Sequence, residues 1–162
     1  MKDLEFPLLK NGLDFILSAV KCLNGRPKGS DVKYAILHLC SGFELLFKER
    51  LRREHWVLLV DKIDNADNAK YEAGDFSSAD FFSCIKRLEK ICDIRFDRKD
   101  KEYCEELRSK RNKIEHFGLS ESYESAVVEA IKGIIFIIEF LKQEIGESKL
   151  DSSEKRVLQN IK

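Results

Sequence analysis

The chain carries no excess of charge, since 29 lysines and arginines stand against 29 aspartates and glutamates. A neutral protein has no global field to draw in nucleic acid, so any such binding needs a local patch. Cysteine pairing is also missing. Cys22, Cys40, Cys84, Cys92 and Cys104 are odd in number and form no C-x-x-C spacing. That argues against a disulfide framework or zinc site and fits buried, reduced thiols in a cytosolic protein. Long apolar runs are absent: the longest, Ile134 to Ile138, is closed by Glu139 and is far too short to span a bilayer. Met1 to Glu5 lacks the apolar core of a signal peptide. No internal repeat is visible. The expectation is a soluble cytoplasmic protein with no membrane partner, no metal and no other cofactor.

What is present is charge and helical periodicity. Charged residues make up 36% of the 162 positions, a balance that suits one helical domain with well-solvated outer faces. Leu9, Leu13, Ile16, Leu17, Val20 and Leu23 predict a first amphipathic helix. Asn24 to Gly29 breaks it. This basic glycine loop lacks the lysine and hydroxyl ending of a P-loop and reads as a connector. Ser30 or Asp31 caps a second helix over Val32 to about Glu54, with an inner stripe of Ala35, Ile36, Leu39, Phe43, Leu46, Phe47 and Arg50. His38 reads as a packing or interface histidine.

Over about 55–77 the pattern changes to β-favouring Trp56–Val60 and the turn-forming Asp64–Asn68, which predicts a short β-hairpin insertion. Asp61, Asp64 and Asp67 lack the alternate spacing and glycine of a calcium loop. Ser77 or Ser78 then starts a helix with Phe82, Ile85, Leu88, Ile91 and Cys92 facing inward. Another helix resumes near Asp100 and ends at Gly118. A long helix from about Glu121 to Ile145 should bury Ile131, Ile134, Ile135, Ile138, Leu141 and Ile145 as the deepest seam. The expected architecture is all-α, an antiparallel bundle of four to five helices over residues 1–146. Residues 147–162 form a tail or short helix that could dock on the bundle or on a partner.

One stretch offers a chemical grouping, Leu107 to Gly118. Asn112 and His116 are four apart and share a helix face with Arg108. Arg111 and His116 are five apart, about 140° around a regular helix, so both reach one ligand only if the last turn loosens. Histidine moves protons near neutral pH, arginine stabilises charge on a phosphorane, and asparagine orients a neighbour or a ribose. With the RNA 2′-hydroxyl as internal nucleophile, such a set suits phosphodiester cleavage without a metal. One histidine per chain supplies an acid or a base but not both, and two chains about a two-fold axis would supply a pair. The plain alternative is a helix-end histidine beside an ordinary Arg111–Glu115 ion pair. Arg95 to Lys113 holds eight basic residues against five acidic, a patch able to hold a phosphate backbone. Glu44 stands among Phe43, Leu45 and Leu46, either as a partly buried acid needing a cation or as an exposed acid paired with Lys48.

Arg111-Asn112-Lys113-Ile114-Glu115-His116 resembles the signature of the HEPN superfamily, an arginine followed by four to six residues and a histidine, with a polar residue after the arginine. Phe43 to Lys48 is similar to the second-helix segment of these domains, and the resemblance extends over about Leu4 to Ile145. It implies a helical bundle that dimerises and brings two motifs into one cleft. It further implies a metal-independent endoribonuclease of the kind found in toxin–antitoxin and phage-defence systems, with an antitoxin or other protein as a further partner. By position, Arg111, Asn112 and His116 would be catalytic, with Arg108 and Lys113 binding substrate RNA and Glu44 supporting the cleft. Other HEPN domains bind nucleotides or act as non-catalytic interaction modules, which is the alternative reading.

Overall fold

The computed structural model describes residues 4–161. It is mainly helical, as the periodicity predicts. The chain runs through α1 (Leu8–Leu23), α2 (Gly29–Glu54), α3 (Asn68–Glu72), α4 (Phe81–Ile91), α5 (Arg98–His116), α6 (Tyr123–Phe140) and α7 (Ser152–Ile161). Among the described residues no helix is long and apolar enough to cross a membrane.

The 26-residue α2 is the axis on which α1, α4, α5 and α6 pack. Two glycines let α1 approach it closely. A Cβ on Gly42 would run into the Ile16 side chain and meet the Gly12 carbonyl oxygen at 3.3 Å, and one on Gly12 would meet Leu46 at 2.9 Å. On its other side α2 presents Phe43 and Phe47, both fully buried. Phe47 packs edge-on to Phe96 (5.7 Å) and Phe140 (4.9 Å), and Phe43 stacks on Phe136 at 5.3 Å. These rings join α2 to α6 and to the loop before α5. Aromatic pairs of this kind contribute about 0.5–1.5 kcal/mol each beyond their area burial.

The hairpin expected over 55–77 takes another form. Trp56–Leu59 and Ile63–Asn65 are 3-10 turns and α3 follows, capped by the Asp67 side chain on Lys70 N–H at 3.0 Å. Among the described residues the strand-like pairing is one antiparallel bridge, Val60 to Ser78. The reason lies in α4. Arg87 donates to the carbonyls of Leu58 and Val60, both at 2.7 Å, and of Asp61 at 2.8 Å. Those are acceptors that a returning strand would otherwise satisfy.

Two expected inner faces also shift. Asp80, not Ser77 or Ser78, caps α4 by accepting from Ser83 N–H at 2.7 Å. The helix accordingly buries Phe81, Cys84, Ile85 and Leu88, while Phe82 and Ile91 are exposed. On α6 the buried line is Ala126, Ala130, Gly133, Ile137 and Phe140. Leu141 and Ile145 are buried as expected, Ile134 and Ile138 are half-buried, and Ile131 and Ile135 face outward. The expected seam is therefore not the deepest one. Small residues line the buried face because Tyr103 of α5 comes close there: a Cβ on Gly133 would overlap its hydroxyl.

Beyond Phe140 the helix continues as a π turn, Leu141–Ile145, and stops at Gly146, which has φ of 75° and bonds back to Leu141 O at 3.0 Å. A left-handed φ of that kind favours glycine. The tail then folds back: α7 packs on α1, and Leu150, Leu158 and Ile161 are buried.

Candidate functional site

The motif lies on the last two turns of α5. Asp97 caps this helix by accepting from Asp100 N–H at 2.8 Å, while the Asp100 carboxylate accepts from Asp97 N–H at 3.1 Å. Such a reciprocal cap satisfies two donors left free at a helix start. Cys104 and Leu107 anchor the buried side. Tyr103 Oη donates to the Glu129 carbonyl of α6 at 3.2 Å. Lys110 reaches Glu121 at 2.5 Å and also pairs with Glu129, whose other carboxylate oxygen is buried without a partner. Burial would lower the Lys110 pKa, but the hydrogen bonds its ammonium donates to the two carboxylates hold it above the ordinary lysine range.

At the exposed end, Arg108, Ser109, Arg111, Asn112, Lys113, His116 and Phe117 line one open depression. Five of the six residues expected from the sequence therefore meet on one surface. Arg111 Nη1 pairs with Glu115 at 2.7 Å and donates to Asn112 Oδ1 at 3.1 Å. The His116 side chain is 68% exposed, and its Nε2 lies 4.0 Å from the same Glu115 oxygen. Beside it Phe117 is 97% exposed.

The last turn does not loosen in the way the spacing demanded. The α-helix is continuous to His116, and the Lys113 carbonyl accepts from both Phe117 N–H (2.9 Å) and Gly118 N–H (2.6 Å). What brings Arg111 and His116 into one neighbourhood is Glu115, which stands between them on the helix surface. In the sequence that residue was readable only as the partner of an ion pair.

Glu44 lies elsewhere. Its carboxylate takes Lys48 Nζ at 2.7 Å, and the same ammonium donates to Ser78 Oγ at 2.9 Å. Both sequence readings hold in part: Glu44 is half-buried and needs its cation, and that cation is Lys48 one turn on. Burial pushes the Cys40 thiol up to about 11, Arg108 opposes that shift by charge and hydrogen bond, and Glu44 adds to it. Arg108 is thus partly drawn into the α2–α5 contact, while Lys113 and Asn112 stand clear in solvent.

A second hollow opens beside the motif helix, between the start of α2 and the start of α6. It has a volume of about 380 Å³, with Ile36, Ile114, Leu119 and Tyr123 on its walls and Lys33 at its edge. Tyr123 closes one side by donating to the Pro27 carbonyl at 2.5 Å, which fixes the basic glycine loop against α6. No family model matches the chain, and no match to it was found among curated proteins or among solved structures.

Proposed function

We propose that the chain is a metal-independent endoribonuclease of HEPN type that works as a homodimer in a toxin–antitoxin or defence setting. The observation that carries this reading is the convergence of Arg108, Arg111, Asn112, Lys113 and His116 on one open surface at the end of α5. In the reaction the ribose 2′-oxygen attacks the adjacent phosphorus and the bond to the 5′-oxygen breaks. The products are a 2′,3′-cyclic phosphate and a 5′-hydroxyl. His116 transfers a proton, as base at the 2′-hydroxyl in one chain and as acid at the leaving oxygen in the other. Arg111 faces the charge that builds on the phosphorane, with Glu115 and Asn112 orienting its guanidinium. Lys113 and Arg108 hold flanking phosphates.

The test is RNA cleavage by the purified protein, run with and without chelator. Cleavage that survives chelator and is lost in both His116→Ala and Arg111→Ala is the expected result. Intact RNA across varied substrates, or unchanged cutting by His116→Ala, overturns the reading.

A second reading, a non-catalytic module that binds a nucleotide or a protein, draws on two observations. Arg111 already has Glu115 and Asn112 as partners, and the 380 Å³ hollow with Tyr123 and Lys33 has the size and lining of a small-ligand pocket. Calorimetry with mononucleotides separates the two. Saturable binding weakened by Tyr123→Ala, with RNA left intact, favours the module.

A further inference from the structure

Helix α6 is apolar on both sides, and its outward side has the geometry of a pairing seam. Val128 is 51%, Ile131 46% and Ile135 52% exposed. At about 100° per residue, Ile131 and Ile135 lie roughly 160° and 200° around the helix from the buried Gly133. They face directly away from the core. Lys132 and Glu139 are exposed beside them, so the outer apolar face is a narrow stripe, the width of a two-helix seam.

The spacing says what covers it. Glu124, Val128, Ile131, Ile135, Ile138 and Lys142 alternate steps of four and three, the repeat of a coiled-coil seam. Their identities are symmetric about Gly133. Ile131 and Ile135 lie two positions either side, Val128 and Ile138 five, and Glu124 and Lys142 nine. Glu124 and Lys142 are both exposed, Lys142 on the π turn that continues the helix.

We infer that this face of α6 pairs antiparallel with α6 of a second copy of the chain, on a two-fold axis at Gly133. In that register Ile131 packs on Ile135 of the second copy, Val128 on Ile138, and Glu124 meets Lys142 at each end. The parallel register would set Glu124 against Glu124 and Lys142 against Lys142, a like-charge arrangement at both ends. The antiparallel one satisfies four charges and covers the stripe.

This contact is separate from one that would join two RNA-cleaving motifs. Tyr123 lies ten residues from the axis, so the two α6 starts stand about 30 Å apart and the His116 side chains fall at opposite ends. The inference therefore does not depend on the ribonuclease reading, and its test uses no RNA.

The test is mass in solution, by sedimentation equilibrium over about a hundredfold range of concentration. The wild-type chain should self-associate, and the Ile131→Asp/Ile135→Asp variant should sediment as a smaller species, a monomer or, where two motifs pair, the motif-joined dimer, with an unchanged circular dichroism spectrum. Glu124→Lys alone and Lys142→Glu alone should each weaken association about tenfold, and the double exchange should restore it. A monomeric wild type, or an assembled mass unchanged in the double aspartate variant, overturns the seam. Single exchanges that leave association unchanged overturn the antiparallel register.

Discussion

Gly133→Ala is the substitution that best tests how α5 is fixed to the bundle. In an isolated helix the change would stabilise by about 1 kcal/mol. Here the new methyl would overlap Tyr103 Oη and stand 2.9 Å from Cζ of the same ring. Forcing a methyl into a packed site costs about 1–3 kcal/mol. Displacing the ring also breaks the hydroxyl's bond to the Glu129 carbonyl, worth about 1 kcal/mol. The balance is a loss of about 2 kcal/mol, or roughly 4–8 °C in Tm for a chain of this size. Tyr103→Phe alone should cost about 1 kcal/mol. In the double variant the hydroxyl overlap is gone and the 2.9 Å approach to the ring carbon remains, so a further alanine costs less than it does in the wild type. Urea unfolding of the four proteins measures the coupling, expected at about 1–2 kcal/mol. If Gly133→Ala raises stability, or if the two losses simply add, the close approach of Tyr103 is not what keeps the position glycine.

Other predictions concern buried charge and thiols. Glu49 is buried and clamped by Arg52 at 2.8 and 3.0 Å and by Arg53 at 2.8 Å, while Arg53 also holds the Ile145 carbonyl at 2.8 Å. Glu49→Ala strands the arginines and should cost about 3 kcal/mol in urea unfolding; Arg53→Met in the same chain should recover part of it. Burial pushes the Glu49 carboxyl up, but the two arginines outweigh it and hold it below its ordinary 4.5. That stabilisation is present above about pH 4.5 and fades as pH falls through the folded value, so wild type should lose more stability on acidification than Glu49→Gln. Burial pushes the Cys84 and Cys104 thiols up to about 12 and Cys40 to about 11, while Cys22 and Cys92 are only half-buried. Titration with a disulfide reagent at pH 8 should modify Cys22 and Cys92 first, and the other three only on unfolding. Rapid reaction of Cys40 in native protein would refute the α2–α5 packing around Arg108.

Much of the fold was legible because the apolar spacing is helical and the breakers are plain. Asn24 to Gly29 separates α1 from α2, and Gly146 ends the last long helix. The misreadings share one physical cause, which is that propensity and spacing are local while partners are distant. Trp56–Val60 has strand-forming residues, but Arg87, some thirty positions away, takes their carbonyls. Glu49 was not legible at all: it stands in the charged string Lys48-Glu49-Arg50-Leu51-Arg52-Arg53, yet it is among the most buried polar groups. At the site, residue types and spacing identified the surface. Whether Arg111 was free or paired turned on which way its side chain lay along the helix.

The α6 misreading carries more than a correction. Its apolar residues cannot all face one way: Ile131, Ile134, Ile135 and Ile138 share an arc of about 100°, while Phe136, Ile137 and Phe140 lie outside it, toward the other side. Hydrophobicity alone therefore could not say which side was the core. The small residues could: Ala126, Ala130 and Gly133 mark where neighbouring side chains come closest, and bulk is left over for the opposite face. A helix face that needs close approach spends alanine and glycine, and one that is merely covered can keep isoleucine. On that reasoning α5 packs on α2 and is tied to α6 on the latter's small-residue side by Tyr103 and Lys110. The isoleucine side is then free to meet a second chain without disturbing the position of His116. Substitutions at Ile131 and Ile135 should accordingly change assembly and leave the geometry at the end of α5 intact. Substitutions at Gly133 should do the reverse.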